Sequence, residues 1–110
     1  MPTIKIKPLS VNKAYRGRRF ATKDLHDYKQ ILTLLLPKLK IPEGKLSVSY
    51  TFALSSSGGD GDNLIKCFQD CLADIYDFND NRIYKWQVLK LVVPKGKEYI
   101  DFSIESLSTP

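Results

Sequence analysis

The stretch that most limits how this chain can fold runs from Leu46 to Ile83, where the hydrophobic period changes from two to about 3.6 across one short loop. Leu46, Val48, Tyr50, Phe52 and Leu54 alternate with polar residues, the pattern of a strand with one buried face. The loop Ser55-Ser-Ser-Gly58-Gly59 can bend sharply and let a phosphate approach. Asp60-Gly-Asp62-Asn63 then opens a helical pattern. Measured from Asp62 at about 100° per residue, Lys66 lies at roughly 40° and Asp70 at roughly 80°, while Leu64, Ile65, Phe68, Leu72 and Ile75 centre near 240°. The helix is expected to pack one face and to present Asp62, Lys66 and Asp70 on the other. Asn79-Asp80-Asn81 forms a second acidic turn before a new apolar run, and a chain reversal there would return Asp80 to the first pair.

Six of the twelve acidic residues fall between Asp60 and Ile83, in a chain of net charge +5. A single Asp before a helix is an ordinary N-cap, and Asp62 with Lys66 is an ordinary i,i+4 ion pair. One cap needs one carboxylate, however, and this stretch supplies several, the oxygen-rich arrangement that hard divalent cations prefer. Residues 1–23 carry seven Lys/Arg and no acid, ending in Arg16-Gly-Arg18-Arg19. A solvated basic loop would look the same. Beside the acidic centre, the division suggests phosphate binding by the arm and metal binding by the centre.

Several classes are set aside. A length of 110 residues suits one domain with a modest core. No apolar run reaches the roughly 20 residues of a membrane span and no signal-peptide core opens the chain, so a cytoplasmic location is expected. Cys67 and Cys71 lie one helical turn apart, too few for zinc with His26 in another helix, and read as core filler. Lys66 follows Ile65 and precedes Cys67, so no Walker A loop is present and no nucleotide cofactor is expected. An EF-hand from Asp60 would need ligands at Leu64 and Cys71 that are missing.

The remaining segments complete an α+β domain. Ile4 and Ile6 alternate with Lys5 and Lys7 in a half-buried strand from Thr3 to Pro8. Residues 10–21 form a long basic loop, in which Asn12, Lys13, Tyr15, Arg16, Arg18 and Arg19 suit phosphates and unstacked bases, with anchoring of the loop on the domain an equal reading for Asn12 and Tyr15. Thr22 to Leu36 reads as a helix ended by Pro37, with Leu25, Tyr28, Leu32, Leu35 and Leu36 as its buried stripe. From Arg82 a long strand is expected, with a bulge near Val88–Leu89. Pro94-Lys-Gly96-Lys97 turns it into an antiparallel hairpin with Tyr99–Leu107. Tyr84 and Trp86 read as packing residues, and 106–110 as a frayed tail. The order is β-α-β-α-β-β, with helices packed on a mixed sheet.

Asp60-Gly-Asp62-Asn63-Leu-Ile-Lys66, Asp70-Cys-Leu72 and Asp80-Asn-Arg-Ile83 together resemble the signature of the RusA family of Holliday junction resolvases. The N-terminal P-x-S-x-N-x-x-Y-R segment, ending at Tyr15-Arg16, is similar to that family as well. Asn79 stands where family members often carry a second Asp. The resemblance implies a single RusA-like endonuclease domain over 1–110, in which Asp60, Asp62 and Asp80 bind catalytic Mg²⁺, with Mn²⁺ as a substitute. It implies that Lys66 assists catalysis, with Asp70 a secondary candidate. It further implies a homodimeric endodeoxyribonuclease that resolves four-way DNA junctions by paired phosphodiester hydrolysis, in the recombination and repair of a bacterium or prophage. A less selective nuclease for flaps and other branched DNA, and a non-catalytic DNA-binding protein, are the alternatives.

Overall fold

The computed structural model describes residues 2–9, 15–16, 20–21, 23–55 and 61–107, with backbone alone at 15–16, 20–21 and 61–63. Its elements are β1 (Thr3–Ile4), β2 (Tyr15–Arg16), β3 (Phe20–Ala21), α1 (Lys23–Leu35), β4 (Leu46–Leu54), α2 (Gly61–Ile75), a 3-10 turn (Asp80–Arg82), β5 (Ile83–Val92) and β6 (Tyr99–Ser106). Four strands form one mixed sheet in the order β1-β6-β4-β5, and β2 with β3 makes a separate two-stranded ribbon within the basic segment. The α+β domain expected from the hydrophobic periods is the fold observed.

β4 is the centre of the sheet because its inward face is the most apolar in the chain. Leu46, Val48, Tyr50, Phe52 and Leu54 are all buried, and β6 aligns Ile104, Phe102 and Ile100 beside Val48, Tyr50 and Phe52. Both helices cover this face. α2 contributes Leu64, Cys67, Phe68, Cys71 and Leu72, and α1 contributes Tyr28 and Leu32. A Lys29–Asp74 ion pair links the two helices at the surface. Burial pushes both thiols, Cys67 and Cys71, up to about 11, as befits core residues with no thiol chemistry at neutral pH.

The expected hairpin between the last two strands is not formed. β5 pairs in parallel with β4, β6 pairs antiparallel with the other side of β4, and the two last strands never meet. α2 is the crossover that parallel pairing requires. The segment 93–98 crosses the end of β4, two strand spacings or about 10 Å, which six residues span easily. Val93 N–H donates to Leu54 O at 2.7 Å at that crossing, and Lys97 N–H donates to Pro94 O at 3.0 Å in the turn that follows. Gly96 takes φ +90° there, a conformation only glycine adopts freely.

Smaller corrections have similar causes. The register irregularity of β5 lies between Ile83 and Lys85, leaving Tyr84 unpaired, rather than at Val88–Leu89. Leu35 is exposed instead of belonging to the buried stripe of α1, and Leu25 and Leu36 are half-buried, because only Tyr28 and Leu32 reach under the sheet. β1 pairs over two residues only, although Ile4 and Ile6 still point inward. β6 continues through Ser106, and Leu107 N–H donates to Lys45 O at 2.9 Å, so this part of the expected tail is held by backbone bonds. Tyr84 and Trp86 are exposed rather than packed.

Candidate active site

The acidic turn returns to α2 through three local devices. Asp77 takes φ +55° after the helix, and Phe78 N–H donates back to Ala73 O at 2.9 Å, the bond of a Schellman-type stop that reverses the chain. Asn79 caps the following 3-10 turn, its side-chain oxygen accepting from Asn81 N–H at 3.0 Å. Arg82 anchors the turn from below, donating from Nε to Gly44 O at 3.0 Å and from Nη2 to Pro42 O. Asn79 therefore has a structural task of its own, the cap of this turn.

Asp80 comes to rest beside the middle of α2. Ile65, Lys66, Gln69, Asp70, Asp80 and Trp86 line one surface recess of about 310 Å³. Lys66 Nζ donates to Asp70 Oδ2 at 3.3 Å across its rim. A wider acidic groove of about 560 Å³ adjoins it, sharing Asp70 and Asp80 and adding Asp74, Asp77 and Asn79. Three of the residues singled out from sequence, Lys66, Asp70 and Asp80, are thus brought together. Asp62 occupies the first turn of α2, about 6 Å along the helix axis from Lys66, with only its backbone described. Asp60 lies outside the described residues.

Of the expected DNA contacts, Tyr15 and Arg16 lie on β2, opposite Ala21 and Phe20. Asn12, Lys13, Arg18 and Arg19 lie outside the described residues. Lys5 and Lys7 line a further recess of about 350 Å³ with Lys97, at the end of the sheet where the chain leaves β4 for α2.

Gln69 and Trp86 belong to the site without having been foreseen. Gln69 is buried, and its Oε1 accepts from Tyr50 Oη at 3.1 Å and from Trp86 Nε1 at 2.8 Å. Burial, helped by the negative charge of Asp80, pushes the Tyr50 phenol far above its usual range, so it remains a neutral donor. The wheel that placed Lys66 and Asp70 also puts Gln69 at roughly 340°, beside the polar arc, which is the signal that could have found it. Trp86 had no such signal, because its place opposite Val48 depends on the strand register. Gln69→Leu is expected to destabilise the domain by about 1–3 kcal/mol by leaving the buried Tyr50 hydroxyl unpaired. Urea unfolding followed by the fluorescence of Trp86, the single tryptophan, measures it.

The donor set suits a hard divalent cation. Its charged acceptors are carboxylates, with no imidazole or thiolate in the recess. Among the described residues, no three His, Cys, Asp or Glu side chains lie close enough to hold a metal ion. Of the three carboxylates that the family resemblance implies as metal ligands, Asp80 is the one whose side chain is described.

Together the fold and the recess define a small α+β protein with an acidic, lysine-bearing depression beside its central helix. Compared with known proteins, the chain matches no family model and no curated sequence. Among the described residues no helix is long and apolar enough to cross a membrane.

Proposed function

We propose that this protein is a metal-dependent endodeoxyribonuclease of the RusA type that cuts four-way DNA junctions. The observation that carries this reading is the convergence of Asp80 and Lys66 on one recess beside α2, the helix whose first turn carries Asp62. Asp60, Asp62 and Asp80 would hold Mg²⁺, which when bound supplies an activated water at neutral pH and offsets the repulsion between carboxylates and phosphate. In the reaction a water oxygen bonds to phosphorus as one bridging P–O bond breaks and the leaving oxygen takes up a proton. Lys66 has the charge and position to stabilise the phosphoryl oxygens or to orient that water. Its bond to Asp70 holds the ammonium at the rim.

The basic segment supplies affinity in this reading. Arg16 on β2, with Asn12, Lys13, Tyr15, Arg18 and Arg19 around it in sequence, would bind phosphates and unstacked bases. Lys5, Lys7 and Lys97 add positive charge at a second recess, which they line together with Glu98. A four-way junction has approximate two-fold symmetry, and paired cuts call for two active sites, hence a homodimer.

The test is incubation of the purified protein with a mobile four-way junction, a flap and a linear duplex, in Mg²⁺, Mn²⁺ or EDTA, beside Asp62→Asn. Symmetric nicking of the junction that requires metal and is lost in the variant is the expected result. Equal cutting of flaps would make this a general branched-DNA nuclease, and tight binding without cleavage in any metal would make it a non-catalytic DNA-binding protein.

A further inference from the structure

The chemistry proposed above uses Asp80 and Lys66 but gives no task to Trp86, which lines the same recess and is 48% exposed. Its ring is held in place. Nε1–H donates to Gln69 Oε1 at 2.8 Å, and that oxygen is itself anchored, because Gln69 is buried and also accepts from Tyr50 Oη at 3.1 Å. Turning the ring away would take one donor from a buried acceptor. The bond also occupies the single polar hydrogen of the indole. What stays exposed is aromatic carbon, on the order of 100 Å² of it, with no donor left to read the edge of a base. Tyr84, the other exposed aromatic residue of β5, stands outside the recess, and Lys45 Nζ lies 4.9 Å from its ring centre.

We infer that Trp86 stacks on an unstacked nucleobase beside the phosphate at Lys66, so that the recess takes one nucleotide. This rests on the nuclease reading and names the feature of the DNA that the site selects. The recess is mixed in the way a nucleotide is, apolar at Ile65 and Trp86 and charged at Lys66, Asp70 and Asp80. At about 310 Å³ it lies at the lower end of small-ligand sites, which suits a single nucleotide. Within a continuous duplex each base is stacked on both sides and offers no free face. At the branch point of a four-way junction a base pair loses a stacking neighbour, and a fixed aromatic ring there favours the branched substrate over the linear one. Stacking without a hydrogen bond to the base edge tolerates any base.

The test is acrylamide quenching of the fluorescence of Trp86, the single tryptophan of the chain, with a four-way junction or a linear duplex of equal length added in Ca²⁺. The junction is expected to lower the quenching constant at least about twofold, as a half-exposed ring loses its open face, and the duplex to change it little. Two variants separate stacking from a merely structural role, since both lack the indole N–H that bonds Gln69. In gel-shift titrations Trp86→Leu should weaken junction binding at least about fivefold, the low end of the range for one stacked base, and Trp86→Phe, which keeps a ring, by less than about twofold. Should Trp86→Leu fail to fold, the quenching of the parent chain decides the matter.

Equal losses in the two variants, or equal shielding by duplex and junction, would overturn the inference. Cleavage in Mg²⁺, followed on the same samples, separates its failure from that of the nuclease reading. Trp86 left unshielded in a chain that cuts junctions removes the stacking contact alone. Shielding without cleavage keeps the contact and removes the nuclease, and a chain that neither cuts junctions nor shields Trp86 removes both.

Discussion

Phe68→Ala is expected to destabilise the domain by about 3–5 kcal/mol, a large part of the total stability of a chain this size. Phe68 is fully buried at the point where α2 meets the sheet. Its ring stands edge-on to Tyr50 at 5.4 Å, to Phe52 at 5.9 Å and to Phe102 at 5.7 Å, joining the helix to two neighbouring strands at once. Truncation removes these contacts and opens a cavity that the central strand cannot close by shifting, because β4 is held on both sides. Phe68→Leu should cost less, about 1–2 kcal/mol, since most of the volume is kept. Urea unfolding of both variants checks the order. Equal, small losses would mean that the aromatic cluster is not the centre of the core.

The second large effect concerns chemistry. Asp80→Asn is expected to lower junction cleavage by about two to three decades while leaving junction binding and thermal unfolding near the values of the parent chain. The separation follows from where Asp80 sits. It is exposed, and its turn is held by the Asn79 cap and by Arg82, neither of which uses the Asp80 carboxylate. Removing one negative charge from the recess would, if anything, favour approach of a phosphate. Cleavage rates and gel-shift affinities measured on one junction in Mg²⁺ check it. Unchanged cleavage would remove the recess from consideration as the reactive centre, whatever the DNA affinity.

The site was partly legible because helical periodicity is a local property. The positions of Lys66 and Asp70 on one side of α2, away from Phe68 and Leu72, follow from spacing alone, and the structure keeps them there. The acidic turn points to a chain reversal after α2, and the structure brings Asp80 back beside Lys66 and Asp70, by means that have no signal in the sequence. The residue in the left-handed conformation is Asp77 instead of a glycine, and the anchor is Arg82 reaching a turn some forty residues earlier. Gln69 and Trp86 became site residues only when β5 took its register beside β4.

The sequence by itself determined the identity and order of the main elements, since alternation along Leu46–Leu54 and a 3.6-residue period through Leu64, Phe68 and Leu72 report which side of each segment avoids water. It also determined that Cys67 and Cys71 are core residues. Only the tertiary structure decided which strands become neighbours. Pro94 to Lys97 reads as a hairpin turn, yet β5 and β6 are separated by β4. The physical reason is that strand pairing is a competition over the whole chain. β4, with five large side chains aligned on one face, gains most from neighbours on both sides, and β5, apolar on neither face consistently, is left at the edge.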